Sequence, residues 1–117
     1  MELKEVYEKI GGDYDDVVRR LMGEKLVRKF LLKFLDDKSY ADLERTLSEG
    51  DYKEAFRAAH TLKGVCLNLG FTELYKVSAE LTEVLRGRET AGSDELYAQV
   101  KEQYTSLTEA IRELAGN

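Results

Sequence analysis

The chain has 117 residues, 43% of them hydrophobic and 35% charged, enough for one domain with one modest core. Its net charge of −5 excludes a general nucleic-acid binder, which needs a basic balance to neutralise phosphates. One cysteine excludes an internal disulfide, one histidine beside it excludes a His/Cys metal cluster, and no apolar run approaches the roughly 20 residues that span a bilayer.

Proline is absent and Leu, Glu, Lys, Ala and Arg are abundant, which favours helix throughout. The start, MELKEVYEKIGG, is amphipathic and charged and is not a signal peptide, so a cytoplasmic location is expected, without a membrane anchor. Leu3, Val6, Tyr7 and Ile10 predict a short amphipathic helix that Gly11-Gly12 stops. Asp13 is suited to cap a second helix, with Tyr14, Val17, Val18, Leu21 and Met22 as its apolar face. Residues 24–48 form the longest periodic stretch, with Leu26, Phe30, Phe34 and Leu35 on one face and Leu43 and Leu47 beyond. The polar run Asp36-Asp37-Lys38-Ser39 predicts a kink or short break, with Ser39 as the cap, and Gly50 is a good stop.

Asp51, with Glu54 three residues on in a capping-box arrangement, predicts a helix from 51 to about 69, ended by Gly70. Thr72 is expected to cap a further helix carrying Leu74, Val77, Leu81, Val84 and Leu85. Residues 87–92 read as a loop, and Ser93 or Asp94 starts a last helix with Leu96, Val100, Tyr104, Leu107, Ile111 and Leu114 in a seam. No segment alternates as a strand does. The predicted fold is all-α: an antiparallel up-down four-helix bundle, one or two short N-terminal helices packed against it, and one domain over residues 1–117. A monomer is expected, because each helix has one buried stripe and no sustained heptad seam beyond it. The start at Met1 and the end at Ala115-Gly116-Asn117, without tag or linker, suggest a stand-alone protein.

The helix from 51 to 69 carries the chemistry. Projected at about 100° per residue, Tyr52, Ala55, Phe56, Ala59, Leu62, Cys66 and Leu69 share one arc, which is expected to be buried. Lys53, Arg57, His60, Gly64 and Asn68 share another, facing solvent, with no acidic residue among them, and Lys63 sits at the border. This arrangement suits a nucleophile for phosphoryl exchange. An exposed imidazole is mostly neutral at pH 7 and presents a free ring nitrogen. Lys63, three residues on, balances the charge of the incoming group. Gly64, one turn above His60, removes bulk that would block a reacting aspartyl phosphate, although an interior glycine costs about 1 kcal/mol relative to alanine.

AAHTLKGVCLNLG resembles the signature of histidine-containing phosphotransfer (HPt) domains, the intermediates of multistep phosphorelays. The preceding EGDYKEAFR, the early Gly-Gly-Asp, Gly70 and Leu74 extend the likeness. By this resemblance His60 is the phosphorylated residue, Lys63 contacts the phosphoryl group, Gly64 gives room and Asn68 lines the same surface. The implied partner is a receiver domain of a response regulator or hybrid histidine kinase, which brings the aspartate and the Mg²⁺. The chain itself needs no metal or cofactor, and it has no phosphate cradle with which to act as a kinase. Lys53, Arg57, Thr61 and Leu67 are the residues expected to meet the partner. Val65 and Leu67 depart from the family pattern, where small residues are common.

Competing readings stand beside these. Gly64 also fits a close helix crossing, Asn68 a plain polar residue near a helix end, and Lys53 and Arg57 a solvated face. Cys66 falls in the apolar arc and reads as a small hydrophobe. The whole chain also fits a binding module that docks a receiver or helical partner without transfer, for which a buried, hydrogen-bonded His60 would speak, or a subunit that dimerises over the His60 face.

Overall fold

The computed structural model describes residues 1–87 and 91–116. Seven helices and no strand occur among the described residues: α1 (Leu3–Ile10), α2 (Tyr14–Arg20), α3 (Glu24–Phe34), α4 (Ser39–Ser48), α5 (Tyr52–Leu69), α6 (Thr72–Arg86) and α7 (Ser93–Ala115). The chain is therefore all-α. Of the expected loop at 87–92, residues 88–90 lie outside the described residues.

Helices α4 and α6 pack on either side of α5, and α7 packs on α6. The rings of Tyr40 on α4 and Tyr104 on α7 stack at 3.9 Å between centroids, an aromatic contact between these two helices. The first helix lies on α7, with Leu3, Val6, Tyr7 and Ile10 all buried. The core runs on through Val27, Leu31 and Phe34 of α3, Leu62 and Cys66 of α5, Leu81 and Leu85 of α6, and Leu107, Ile111 and Leu114 of α7.

The break expected in the polar run at 36–39 is present: the periodic stretch 24–48 is two helices, separated at residues 35–38. Other local expectations are corrected. Ser39 is not the cap but the first helical residue of α4; the Asp37 carboxylate accepts its N–H at 2.9 Å and its hydroxyl proton as well. Thr72 likewise opens α6 and does not cap it; the flanking residue is Phe71. Burial decides this, since the fully buried Phe71 ring packs edge-on against Phe34 at 5.2 Å and draws the chain inward before α6 begins. The α3 face is as expected at Phe34, which is buried, but Val27 and Leu31 are buried in place of Leu26, which is 39% exposed, and Phe30, which is partly buried. Met22 is 92% exposed and lies beyond the end of α2, so it is no part of that helix's apolar face.

The helix that carries the histidine is held at both ends. The Asp51 carboxylate accepts the Glu54 N–H at 3.2 Å, satisfying one of the free donors of the first turn. The reciprocal half of the expected capping box is absent: the Asp51 N–H donates to the Thr46 carbonyl at 2.9 Å, and Glu54 binds Arg57 instead. At the other end Gly70 turns the chain in a left-handed conformation with φ +70°. There the buried Tyr7 hydroxyl donates to the Leu69 carbonyl at 2.6 Å, and the Asp13 N–H donates to the Gly70 carbonyl at 3.0 Å. The Gly-Gly-Asp turn is thus a clamp on the end of α5. A Cβ on Gly12 would stand 2.7 Å from the Gly70 carbonyl oxygen, which explains the glycine there.

Candidate functional site

The site is built on one helix, and its burial follows the projected arcs. Ala55, Ala58, Ala59, Leu62, Cys66 and Leu69 of α5 are buried, and Tyr52 and Phe56 are half-buried at the edges. Lys53, Arg57, His60, Thr61, Leu67 and Asn68 are exposed, and Lys63 and Gly64 are partly so. The imidazole of His60 is therefore accessible. Its neighbour one turn earlier is Phe56, whose ring lies nearly parallel to it, at 6.0 Å and 17°.

No heavy atom of a neighbouring element or side chain comes within 4 Å of a Cβ built on Gly64. A close helix crossing is thereby excluded as the reason for this glycine. The space above His60 opens to solvent, and nothing in the fold requires that it be kept clear.

The remaining expected residues fall to the two sides of the histidine. Leu67 is 57% exposed, a large hydrophobe without a packing role in the core. Asn68 lines a groove with Arg20, Leu21, Phe30, Val65 and Leu69, an apolar ledge where α2 and α3 meet α5. Arg57 and Thr61 line a polar groove between α4 and α5, opposite Asp42 and Arg45. Arg57 donates to Glu54 at 3.1 Å, and the Thr61 hydroxyl donates to the Arg57 carbonyl at 3.0 Å, so both are engaged within their own helix.

Three contributors were not expected from the sequence. Phe56 was placed in the buried arc, yet it is only partly buried and stacks on the imidazole. The Arg86 guanidinium of α6 lies over the same Phe56 ring, 5.0 Å from its centroid. It also pairs with Glu83, donating from Nε at 3.2 Å to both carboxylate oxygens and from Nη2 at 3.1 Å to one of them. Hydrogen bonding to Arg86 holds the Glu83 carboxyl below the usual carboxylate range, and the charge of Lys63, with that of the His60 ring in its protonated form, acts in the same direction. The absence of acidic residues is thus true of the α5 stripe alone, since α6 brings a carboxylate within electrostatic reach of the histidine. No sequence signal marks this pair, because i, i+3 charge pairs occur on any solvated helix.

Cys66 is fully buried, and burial pushes its thiol pKa up, so it is a packing residue without thiolate chemistry. Among the described residues no group of three or more His, Cys, Asp or Glu is placed to hold a metal ion. No helix among them is long and apolar enough to cross a membrane.

The geometry can be set beside known proteins. The Hpt domain model matches residues 29–113. The sensory/regulatory protein RpfC of Xanthomonas campestris pv. campestris, from two strains, is 30% identical over 104 aligned residues, covering 74% of this chain and 14% of the relative. The chain therefore spans about one seventh of the length of those relatives. No solved structure matches it significantly. A family match over most of the chain, on a helical fold that exposes the one histidine, places this protein in the Hpt domain family, the histidine-containing phosphotransfer domains of phosphorelays.

Proposed function

We propose that this chain accepts a phosphoryl group from a receiver-domain aspartate on Nε2 of His60 and passes it to the aspartate of another receiver. The Nε2 lone pair attacks the phosphorus of the aspartyl phosphate. A P–N bond forms, the P–O bond to the carboxylate breaks, and the aspartate leaves with the electron pair. Onward transfer reverses these steps on a second receiver. Positioning and electrostatics do most of this work, and the receiver supplies the Mg²⁺.

Within this scheme Lys63 offsets the charge of the phosphoryl group, Gly64 leaves its path open and Asn68 lines its surroundings. Lys53, Arg57, Thr61 and Leu67 meet the receiver. The apolar ledge of Leu21, Phe30 and Val65 lies beside Asn68, and with the exposed Leu67, next to Asn68 in the chain, it offers apolar area suited to a small, transient interface. The observation that carries the proposal is the exposed imidazole with open space above it at Gly64. It speaks against a binding module that buries its histidine. The protein acts as a cytoplasmic monomer, and α4 to α7 form an up-down four-helix bundle, a reading supported by the short connections from α4 to α5 and from α5 to α6 and by the successive packing of the helices.

The test is incubation with a panel of receivers charged by radiolabelled acetyl phosphate. Wild type is expected to take label from at least one receiver within the panel, and His60→Gln from none. Equal labelling of His60→Gln and wild type would overturn the proposal.

A further inference from the structure

The Glu83–Arg86 pair is one of several charge pairs spaced three apart on the molecule, and such exposed pairs contribute little to stability. Its position sets it apart. Arg86 lies over the Phe56 ring, and that same ring stacks on His60. The last turns of α6 therefore place a cation on the ring that stacks on the nucleophile, and an anion paired with that cation. Neither side chain is needed for packing, since 53% of Arg86 and 64% of Glu83 is exposed.

We propose that Glu83 tunes how readily His60 gives up a phosphoryl group, acting as a positioning residue through Arg86 and through its own charge. This inference rests on the phosphotransfer reading. Phosphorylation adds up to about two negative charges beside the imidazole. The carboxylate of Glu83 repels that charge, and it engages the Arg86 guanidinium that would otherwise turn to the phosphoryl oxygens. Both effects raise the free energy of phosphohistidine relative to the aspartyl phosphate of a receiver. Donation is favoured: the P–N bond breaks, Nε2 keeps the electron pair, and a receiver carboxylate oxygen forms the new P–O bond. A carboxylate on this side keeps the domain a relay and not a store.

The experiment measures the equilibrium distribution of label between this chain and a receiver that charges it. Glu83→Gln is expected to shift the distribution toward His60 by about threefold at low salt, a modest surface electrostatic effect. The shift should shrink as salt rises to about 1 M, because the charges involved are exposed. Glu83→Asp keeps the charge and should stay near wild type, while Arg86→Gln should shift label toward the receiver. Unchanged distributions in Glu83→Gln and Arg86→Gln, or a shift independent of salt, would overturn the inference while wild type still carries label on His60. A wild type that takes no label from any receiver would instead refute the phosphotransfer reading beneath it.

Discussion

At the scale of single residues, Gly64 separates folding from function most cleanly. An interior helical glycine is costly, and a Cβ at this position meets nothing. Gly64→Ala should therefore stabilise the fold by about 0.5–1 kcal/mol in urea unfolding. The same methyl lies one turn above His60, and the rate of label uptake from a receiver should fall about tenfold, the cost of a near-attack geometry held slightly too far apart. A variant that is less stable and transfers normally would show that the glycine serves packing. Leu67 gives a second contrast. It is 57% exposed, so Leu67→Ala should change stability by less than about 0.5 kcal/mol. Receiver affinity, read by titration, should drop several-fold if this bulky side chain is a docking contact. The His60, Lys63 and Gly64 triplet could be read from the sequence because all three lie on one helix, where spacing fixes angle. Glu83 and Arg86 could not, because only the packing of α6 on α5 brings them beside the histidine.

At the scale of elements, the mounting of α5 decides how firmly the histidine is presented. Its C-terminal end is the tight point. Gly70 has φ +70°, and a Cβ there would lie 3.2 Å from both the Asp13 carbonyl oxygen and the Val17 Cβ. Gly70→Ala combines left-handed strain with crowding and should cost roughly 1–3 kcal/mol in denaturant unfolding. A neutral result would mean that the clamp formed by Tyr7, Asp13 and Gly70 yields easily. Helix existence and stops were readable from periodicity and glycine. Starts were read less well: Ser39 and Thr72 have the chemistry of caps, yet the caps moved, by a competing local hydrogen bond at α4 and by burial at α6. At α4 the Asp37 carboxylate reaches Ser39 first, and at α6 the buried Phe71 ring sets where the helix begins. The face of α3 was misjudged for a related reason. Its apolar residues cover more than one stripe, and the packing on α7 selects Val27 and Leu31 over Leu26.

At the scale of the molecule, the core extends beyond the family match. Leu3, Val6, Tyr7, Ile10 and Val17 precede residue 29 and belong to the same core as α5 and α7. The N-terminal helices thus complete the core and hold the end of the histidine helix. Tyrosines join these parts, and burial is the main cause that raises the pKa of Tyr7, Tyr40, Tyr97 and Tyr104. A phenol whose folded pKa exceeds its unfolded value contributes stability that is fully present below the unfolded value, near pH 10, and is lost as pH rises beyond it. Thermal unfolding should therefore show a falling midpoint above about pH 10, and Tyr7→Phe should lose less over that range than wild type. An equal loss in both would remove Tyr7 from this account.

The central claim concerns one nitrogen atom and can be observed directly. After charging by a receiver, ³¹P NMR of the isolated chain should show a single phosphoramidate resonance, and peptide mapping should place the modification on His60. The resonance should be absent from His60→Gln treated in the same way. A phosphoryl group on any other residue, or a resonance that survives in His60→Gln, would contradict the account.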